Sequence, residues 1–362
     1  MARKYNFSAG PSTLPLSVLQ ELQRTLVEHD GAGLSLIEAS HRSKEYEAVH
    51  NSAIGLFREL LSIPETHEIL LVGGGATLQF AMVPLNFLPS GSSCDLAHSG
   101  AWASKALEDA RKVGSVRLAF DGSASNFMTL PTPQELSLDP DAAYFHLTSN
   151  ETIGGVQWKE FPDSGAVPIV ADMSSDIMSR PVSFDRFGLI YAGAQKNLGP
   201  AGVTVVIIRK DMLERCPDTL PAYLCYKVHA ESNSLYNTPP VFSINAMRLV
   251  LQWVKEEGGL AECARRAHDK SATLYDAIES SDGFYRNPVD PRFRSTMNVV
   301  FRLPSEDLEK RFVSEATAAG LDGLKGHRSV GGCRASIYNA MPAEGVAALA
   351  EFMSDFASKH RQ

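Results

Sequence analysis

At 362 residues the chain is too long for one ordinary domain, and the usual ~150 residues per domain points to about two, or to one large α/β domain. A hydrophobic content of 44% with 21% charged residues is globular and excludes a disordered or collagen-like chain. The balance of 34 Lys+Arg against 42 Asp+Glu, net −8, excludes a general nucleic-acid binder, so any basic site must be a local pocket on an acidic body. Five scattered cysteines (Cys94, Cys216, Cys225, Cys263, Cys333) form no C-x-x-C pair and are odd in number, which suggests neither a disulfide framework nor a structural zinc site. Residues 1–15 lack the apolar stretch of a signal peptide, and the strongest apolar runs are strand-sized. The expectation is a protein of the reducing cytoplasm, with no membrane or nucleic-acid partner.

In chain order, short apolar runs alternate with amphipathic stretches. Residues 17–28 and 43–61 read as helices, the second stopping before Pro64. The run 69–72 meets Gly73-Gly74-Gly75, after which 78–88 is helical. A helical pattern over 101–113 is followed by apolar runs at 143–147, 167–171, 189–192 and 203–208. Strands separated by helices argue for a mostly parallel sheet flanked by helices. Pro240 suits the first turn of a helix reaching about Glu257, and another helix covers 260–280. Beyond lie a strand at 296–303, a helix at 305–319, a strand at 334–338 and a helix at 343–358. The division that follows is an N-terminal segment 1–15 packed with the small domain, a large domain 16–262, and a smaller α+β domain 263–362.

The chemistry concentrates in a few places. Gly73-Gly74-Gly75-Ala76-Thr77 lies between a strand and a helix, where backbone N–H groups and a helix amino terminus can hold an anion. Leu78 stands where the dinucleotide fingerprint needs its third glycine, and no Gly-Lys-Ser/Thr follows, so a ligand-free turn is the equal alternative. Lys196 is the single lysine of a turn of small and apolar residues, 192–202, between two apolar runs. Burial there lowers an amine pKa and suits a Schiff-base nucleophile. Asp172 ends the 167–171 run, at the carboxyl end of a strand, where ligands gather in parallel sheets. It admits two readings, a helix cap or the partner of a pyridinium nitrogen. Trp102, in Ser99-Gly100-Ala101-Trp102, follows a strand end and is either core or a stacking platform. Ser40-His41-Arg42 and Lys325-Gly326-His327-Arg328, with Arg334, are solvated surface groups unless they converge on one doubly charged anion.

Taken together, the segments Asn6-Phe7-Ser8-Ala9-Gly10-Pro11, Ser40-His41-Arg42, Asn150-Glu151-Thr152-Ile153-Gly154-Gly155, 191–202, Tyr236-Asn237-Thr238-Pro239-Pro240 and 325–340 resemble the phosphoserine aminotransferases in order and spacing over nearly the whole chain. The resemblance implies a fold-type-I enzyme dependent on pyridoxal 5′-phosphate (PLP). It would transfer an amino group between glutamate and 3-phosphohydroxypyruvate, and act on the phosphorylated 2-oxo acid of pyridoxine biosynthesis as well. It assigns Lys196 to the Schiff base and proton shuttle, Asp172 to the pyridine nitrogen, Trp102 to ring stacking and Thr152 to the ring oxygen. Ala76, Thr77 and Gln195 would hold the cofactor phosphate, joined by Asn237 and Thr238 of the neighbouring subunit, which implies a homodimer with shared active sites. His41, Arg42, His327 and Arg328 match the distal-anion site and Arg334 the binder of the α-carboxylate. Thr77 replaces an arginine, and Ala9 a serine, found in some members. Within the same fold a cysteine desulfurase would need a nucleophilic cysteine, for which Cys333 is the C-terminal candidate. A non-catalytic binding protein that kept the pocket is the rival from another class.

Overall fold

The computed structural model describes residues 3–361. Strand β1 (Tyr5–Asn6) precedes helices α1 (Leu16–Arg24) and α2 (Lys44–Leu61). Alternation then begins with β2 (His67–Val72), α3 (Gly75–Phe87), β3 (Ser93–His98), α4 (Ala101–Val113), β4 (Ser115–Asp121) and β5 (Phe145–Thr148). A short ribbon of β6 (Asn150–Glu151) and β7 (Val156–Gln157) leads to β8 (Ile169–Asp172), β9 (Phe187–Gly193) and β10 (Thr204–Arg209). Helices α5 (Lys210–Leu213), α6 (Tyr226–Glu231), α7 (Val241–Glu256) and α8 (Gly259–Glu279) follow. Last come β11 (Asn298–Phe301), α9 (Glu306–Ala318), β12 (Leu321–Asp322), β13 (Cys333–Ser336) and α10 (Ala343–His360).

Seven strands form one sheet in the order β2-β10-β9-β8-β5-β3-β4, parallel except where β10 runs against both neighbours. Strands β8 and β9 are buried along their whole length, as expected of strands covered on both faces. Alternate residues serve opposite layers. Leu71, Ala171, Ile190 and Val205 pack towards Phe57 of α2 and Leu251 of α7, whereas Leu70, Val72, Val170 and Tyr191 pack towards Phe80 of α3 and Leu107 of α4. A separate core unites Phe301, Phe312, Leu349 and Phe356, and Phe7 of the N-terminal segment belongs to it. β1 pairs with β12, and β11 with β13. Among the described residues no helix is long and apolar enough to cross a membrane.

The expected helices and strands are present, with shifted ends. α1 stops at Arg24 rather than near residue 28, and Ser43 and Ser305 sit outside their helices because their side chains cap them, accepting from Tyr46 N and Leu308 N. α3 begins at Gly75, before the first apolar residue of its pattern. β4 is an addition, and of β3 only the end before Trp102 is expected: polar residues interrupt both, and Asp95 is buried within β3 against Arg117 of β4 at 3.4 Å.

Candidate active site

The site forms at the carboxyl ends of the parallel strands, where β8 delivers Asp172 and the connection from β9 to β10 delivers Lys196. That connection is a tight reversal: Ala194 N donates to Val203 O, and Leu198 N and Gly199 N both donate to Ala194 O. Asn197 anchors it further, its Nδ2 on Ile177 O at 2.6 Å and its Oδ1 accepting from Asn339 N at 2.9 Å. The N-terminal segment lies across it, with the Ser12 hydroxyl on Lys196 O and Ser12 N on Gln195 O. A Cβ on Gly10 would come within 3.3 Å of Lys196 Cγ, so glycine suits this close approach.

Lys196 Nζ donates to Thr152 Oγ1 at 2.7 Å and lies 5.2 Å from the centre of the Trp102 indole. Loss of hydration brings its pKa down to about 8, against the pull of the Asp172 and Glu151 carboxylates. Asp172 accepts from Ser174 N at 2.9 Å, and burial raises its pKa while Lys196 lowers it. The residues after Asp172 form turns rather than a helix, so the helix-cap reading of this aspartate is set aside.

Glu151 is a member of the site that sequence reasoning left without a role. Its buried carboxylate accepts from Trp102 N at 3.0 Å and Ala103 N at 2.9 Å, and so anchors the first turn of α4, which carries the indole. Burial pushes its pKa up to about 7. The only signal was Gly100, whose absent Cβ leaves room for that carboxylate; the pairing is non-local.

Basic side chains of β13, of the loop before it and of α4 adjoin this place. Arg334 of β13 donates through Nη1 to Thr152 O at 3.3 Å, while its Nε is buried without a protein partner. Burial, and after it the positive charges of Arg334, Arg328 and Lys105, lower the pKa of His327. Lys105, also missed in the sequence, sits one turn beyond Trp102 with its ammonium 4.9 Å from the indole centre. Among the described residues none of these four has a carboxylate ion-pair partner.

The glycine turn is built for close approach. Gly74 (φ 87°) caps α3, and a Cβ there would strike Leu78; the first-turn residues Ala76 and Thr77 are half-buried and exposed. Gln195 folds its side chain against Gly193. The structure does not bring four of the expected residues to Lys196. His41 and Arg42 stand on an open turn before α2, and Asn237 and Thr238 are exposed, Asn237 Nδ2 reaching only Thr238 O at 3.1 Å. Close to them Leu26, Val27, Leu34, Ile37, Tyr236 and Phe242 are exposed apolar residues, Val27 at 82%, and residues of the 25–37 segment and α7 line one small crevice.

A buried lysine of lowered pKa, a buried carboxylate, an indole and a group of basic side chains fit PLP, and the unpartnered Trp102 Nε1 and Arg334 Nε leave two buried donors for a bound molecule. Comparison with known proteins agrees. The aminotransferase class-V family pattern matches residues 4–349. The chain therefore belongs to the class-V aminotransferases, which depend on PLP. Its full-length relatives include phosphoserine aminotransferases: that of Desulfosudis oleivorans is 55% identical over 98% of both chains. The structure of phosphoserine aminotransferase from Bacillus circulans subsp. alkalophilus superposes with a TM-score of 0.98 at 52% identity, covering 99% of each chain. The PLP-bound phosphoserine aminotransferase of Trichomonas vaginalis gives 0.93 at 39% identity, covering 97% of this chain and all of that one.

Proposed function

We propose that the protein is a phosphoserine aminotransferase: glutamate gives up its amino group and leaves as 2-oxoglutarate, and 3-phosphohydroxypyruvate takes the group to become O-phosphoserine, the transamination of serine biosynthesis. The observation that carries the reading is Lys196 Nζ, held with a pKa of about 8 between Thr152 and the Trp102 indole beside Asp172. When bound, PLP supplies an aldehyde that carries amino groups and a ring that accepts electrons. Lys196, Asp172, Trp102, Thr152 and Gln195 would hold it, with the N–H groups of Ala76 and Thr77 on its phosphate. Lys196 Nζ takes the proton from the substrate α-carbon and returns it on the far side of the transfer. Asp172 would supply the negative charge that favours a protonated ring nitrogen, and Glu151 holds the first turn of α4, which carries Trp102. Arg334 orients the α-carboxylate, and His327 and Arg328, aided by Lys105, receive the distal anion. Both substrates carry a carboxylate at one end and an anion at the other, so one pocket serves them in turn. The phosphorylated 2-oxo acid 3-hydroxy-2-oxo-4-phosphonooxybutanoate shares both ends, which extends the reading to pyridoxine biosynthesis, in the cytoplasm. The separate core around Phe312 and Phe7 supports the division into segment 1–15, large domain 16–262 and small domain 263–362.

The distal phosphate carries about −2 charge near neutral pH, against −1 for a carboxylate. Each charge-assisted hydrogen bond contributes about 1.5–3 kcal/mol, a roughly 10- to 100-fold effect. Single-turnover kinetics of Arg42→Ala and Arg328→Ala should therefore lose that much more with O-phosphoserine than with glutamate, whereas Arg334→Ala should weaken both half-reactions alike. Equal losses for Arg42 and Arg328 would remove the phosphate assignment.

The same reading makes the enzyme a homodimer with shared sites. Arg42, Asn237 and Thr238 are exposed, His41 is half-buried, none of them bonds to Lys196 in the protomer, and exposed apolar residues flank them along the chain. Mixing a Lys196→Ala chain with an Asn237→Ala/Thr238→Ala chain should restore part of the activity, because one site of the hybrid combines intact Lys196 with intact Asn237 and Thr238. No recovery despite demonstrated subunit exchange would contradict sharing. A cysteine desulfurase is disfavoured because Cys333 is buried at 2% exposure and its thiol is pushed up to about 12.

A further inference from the structure

The loop 325–332, between β12 and β13, presents His327 and Arg328, and its own bonds are local. Gly326 N donates to Gly332 O at 2.9 Å, and Val330 N and Gly331 N donate to His327 O at 3.0 and 2.8 Å. The His327 ring is turned by Ser329, whose Oγ lies 2.7 Å from Nδ1. What ties this loop to the body is a pair of residues outside it. Glu309, on the first turn of α9 and almost wholly buried, accepts from Gly332 N at 3.0 Å through Oε2 and meets Arg302 Nε at 2.8 Å through Oε1. Arg302, just past β11, donates through Nη1 to Val330 O. The loop backbone is shaped around that side chain. Gly331 and Gly332 hold φ of 70° and 71°, and a Cβ on Gly332 would lie 2.7 Å from Arg302 Cδ, one on Gly331 3.0 Å from Nη1.

We propose that Arg302 and Glu309 are positioning residues for substrate specificity, a latch that sets the loop so that His327 and Arg328 meet the distal anion. The inference rests on the reading of those two residues as the distal-anion site. The latch bonds the loop at Val330 O and Gly332 N and reaches neither Lys196 nor Asp172 through any of its bonds, so its effect should fall on recognition and leave the chemistry intact. Misplacing a binding group by an ångström is enough to cost orders of magnitude at a reacting centre, and here the loss should appear in binding.

The test uses the PLP-loaded enzyme in single-turnover reactions with O-phosphoserine and, as an amino donor without a distal anion, L-alanine. Arg302→Ala should raise the half-saturating concentration of O-phosphoserine roughly tenfold, about one charge-assisted hydrogen bond. The rate at saturation and the alanine reaction should stay within about twofold of the parent, below 0.5 kcal/mol at 1.4 kcal/mol per decade. Arg302→Lys should recover part of the loss, and Glu309→Gln, which keeps an acceptor for Gly332 N but not the ion pair, should shift the same way by less. In a His327→Ala/Arg328→Ala background, Arg302→Ala should cost nothing more, because the latch acts only through them. Equal losses with both donors, or an undiminished loss in that background, would make the pair a general stabiliser and overturn the proposal. If His327→Ala/Arg328→Ala left the preference for O-phosphoserine over alanine unchanged, the distal-anion reading would fall and take the latch with it; selectivity lost there but kept in Arg302→Ala would sink the latch alone.

Discussion

Lys196→Ala should lower kcat by on the order of 10⁴ or more, because one side chain is both nucleophile and proton carrier and each role is worth orders of magnitude. Far-UV circular dichroism should stay unchanged, since the turn is held by Ala194, Asn197 and Ser12 rather than by the ammonium. The sign of the pH dependence follows from the lowered pKa. The free amine is the reactive form, so PLP uptake by the apoprotein, followed by absorbance, should speed up as pH rises and level off above about 8. An ordinary lysine, with a pKa near 10.4, would still be accelerating there. Near-normal transamination by Lys196→Ala, or uptake still rising steeply at pH 10, would show that another lysine is the nucleophile.

Asp172→Ala should lower kcat roughly 10²- to 10³-fold, the scale seen when one fixed electrostatic partner of a reacting group is removed. It should also leave PLP more weakly bound, because the partner charge of a buried pair is orphaned. A second consequence has the opposite direction from simple damage. The Asp172 carboxylate raises the Lys196 pKa, so its loss should move the midpoint of PLP uptake to lower pH, below about 8. Both shifts can be read on one preparation, by turnover and by the uptake profile. Unchanged turnover and cofactor retention would return Asp172 to a merely structural role.

The parts of this site that could be read in the sequence are those whose chemistry is local. The Lys196 turn announces itself because small and apolar neighbours leave an isolated lysine nowhere to solvate, and Asp172 because it closes an apolar run. Long amphipathic elements such as α4 and α8 were equally plain, since their periodicity is sustained over 13 and 21 residues. What escaped depends on distant partners. β3 breaks its apolar pattern with Asp95, which is tolerable only because Arg117 of the next strand and Asp139 N reach it. Glu151 lay inside a motif already singled out, but its role needed the sight of Gly100 and α4 arriving from another part of the chain. The reversal of β10 escaped for a related reason: a continuous apolar run such as 203–208 carries no direction, and only the ten-residue connection through Lys196 hints that the strand turns back. His41, Arg42, Asn237 and Thr238 stay apart from Lys196 within one protomer, so their part in the account rests on a second copy of the chain.

The most direct measurement prepares the PLP-loaded enzyme, lets glutamate convert it to its amino-carrying form, removes the glutamate, and mixes it with either 3-phosphohydroxypyruvate or hydroxypyruvate while absorbance is followed. The account predicts that glutamate alone changes the cofactor spectrum. It predicts that the phosphorylated keto acid restores it with formation of O-phosphoserine, and that hydroxypyruvate does so with a specificity constant lower by roughly 100-fold or more, the worth of two charge-assisted hydrogen bonds to the phosphate. A spectrum indifferent to glutamate, or equal restoration by the two keto acids, would contradict it.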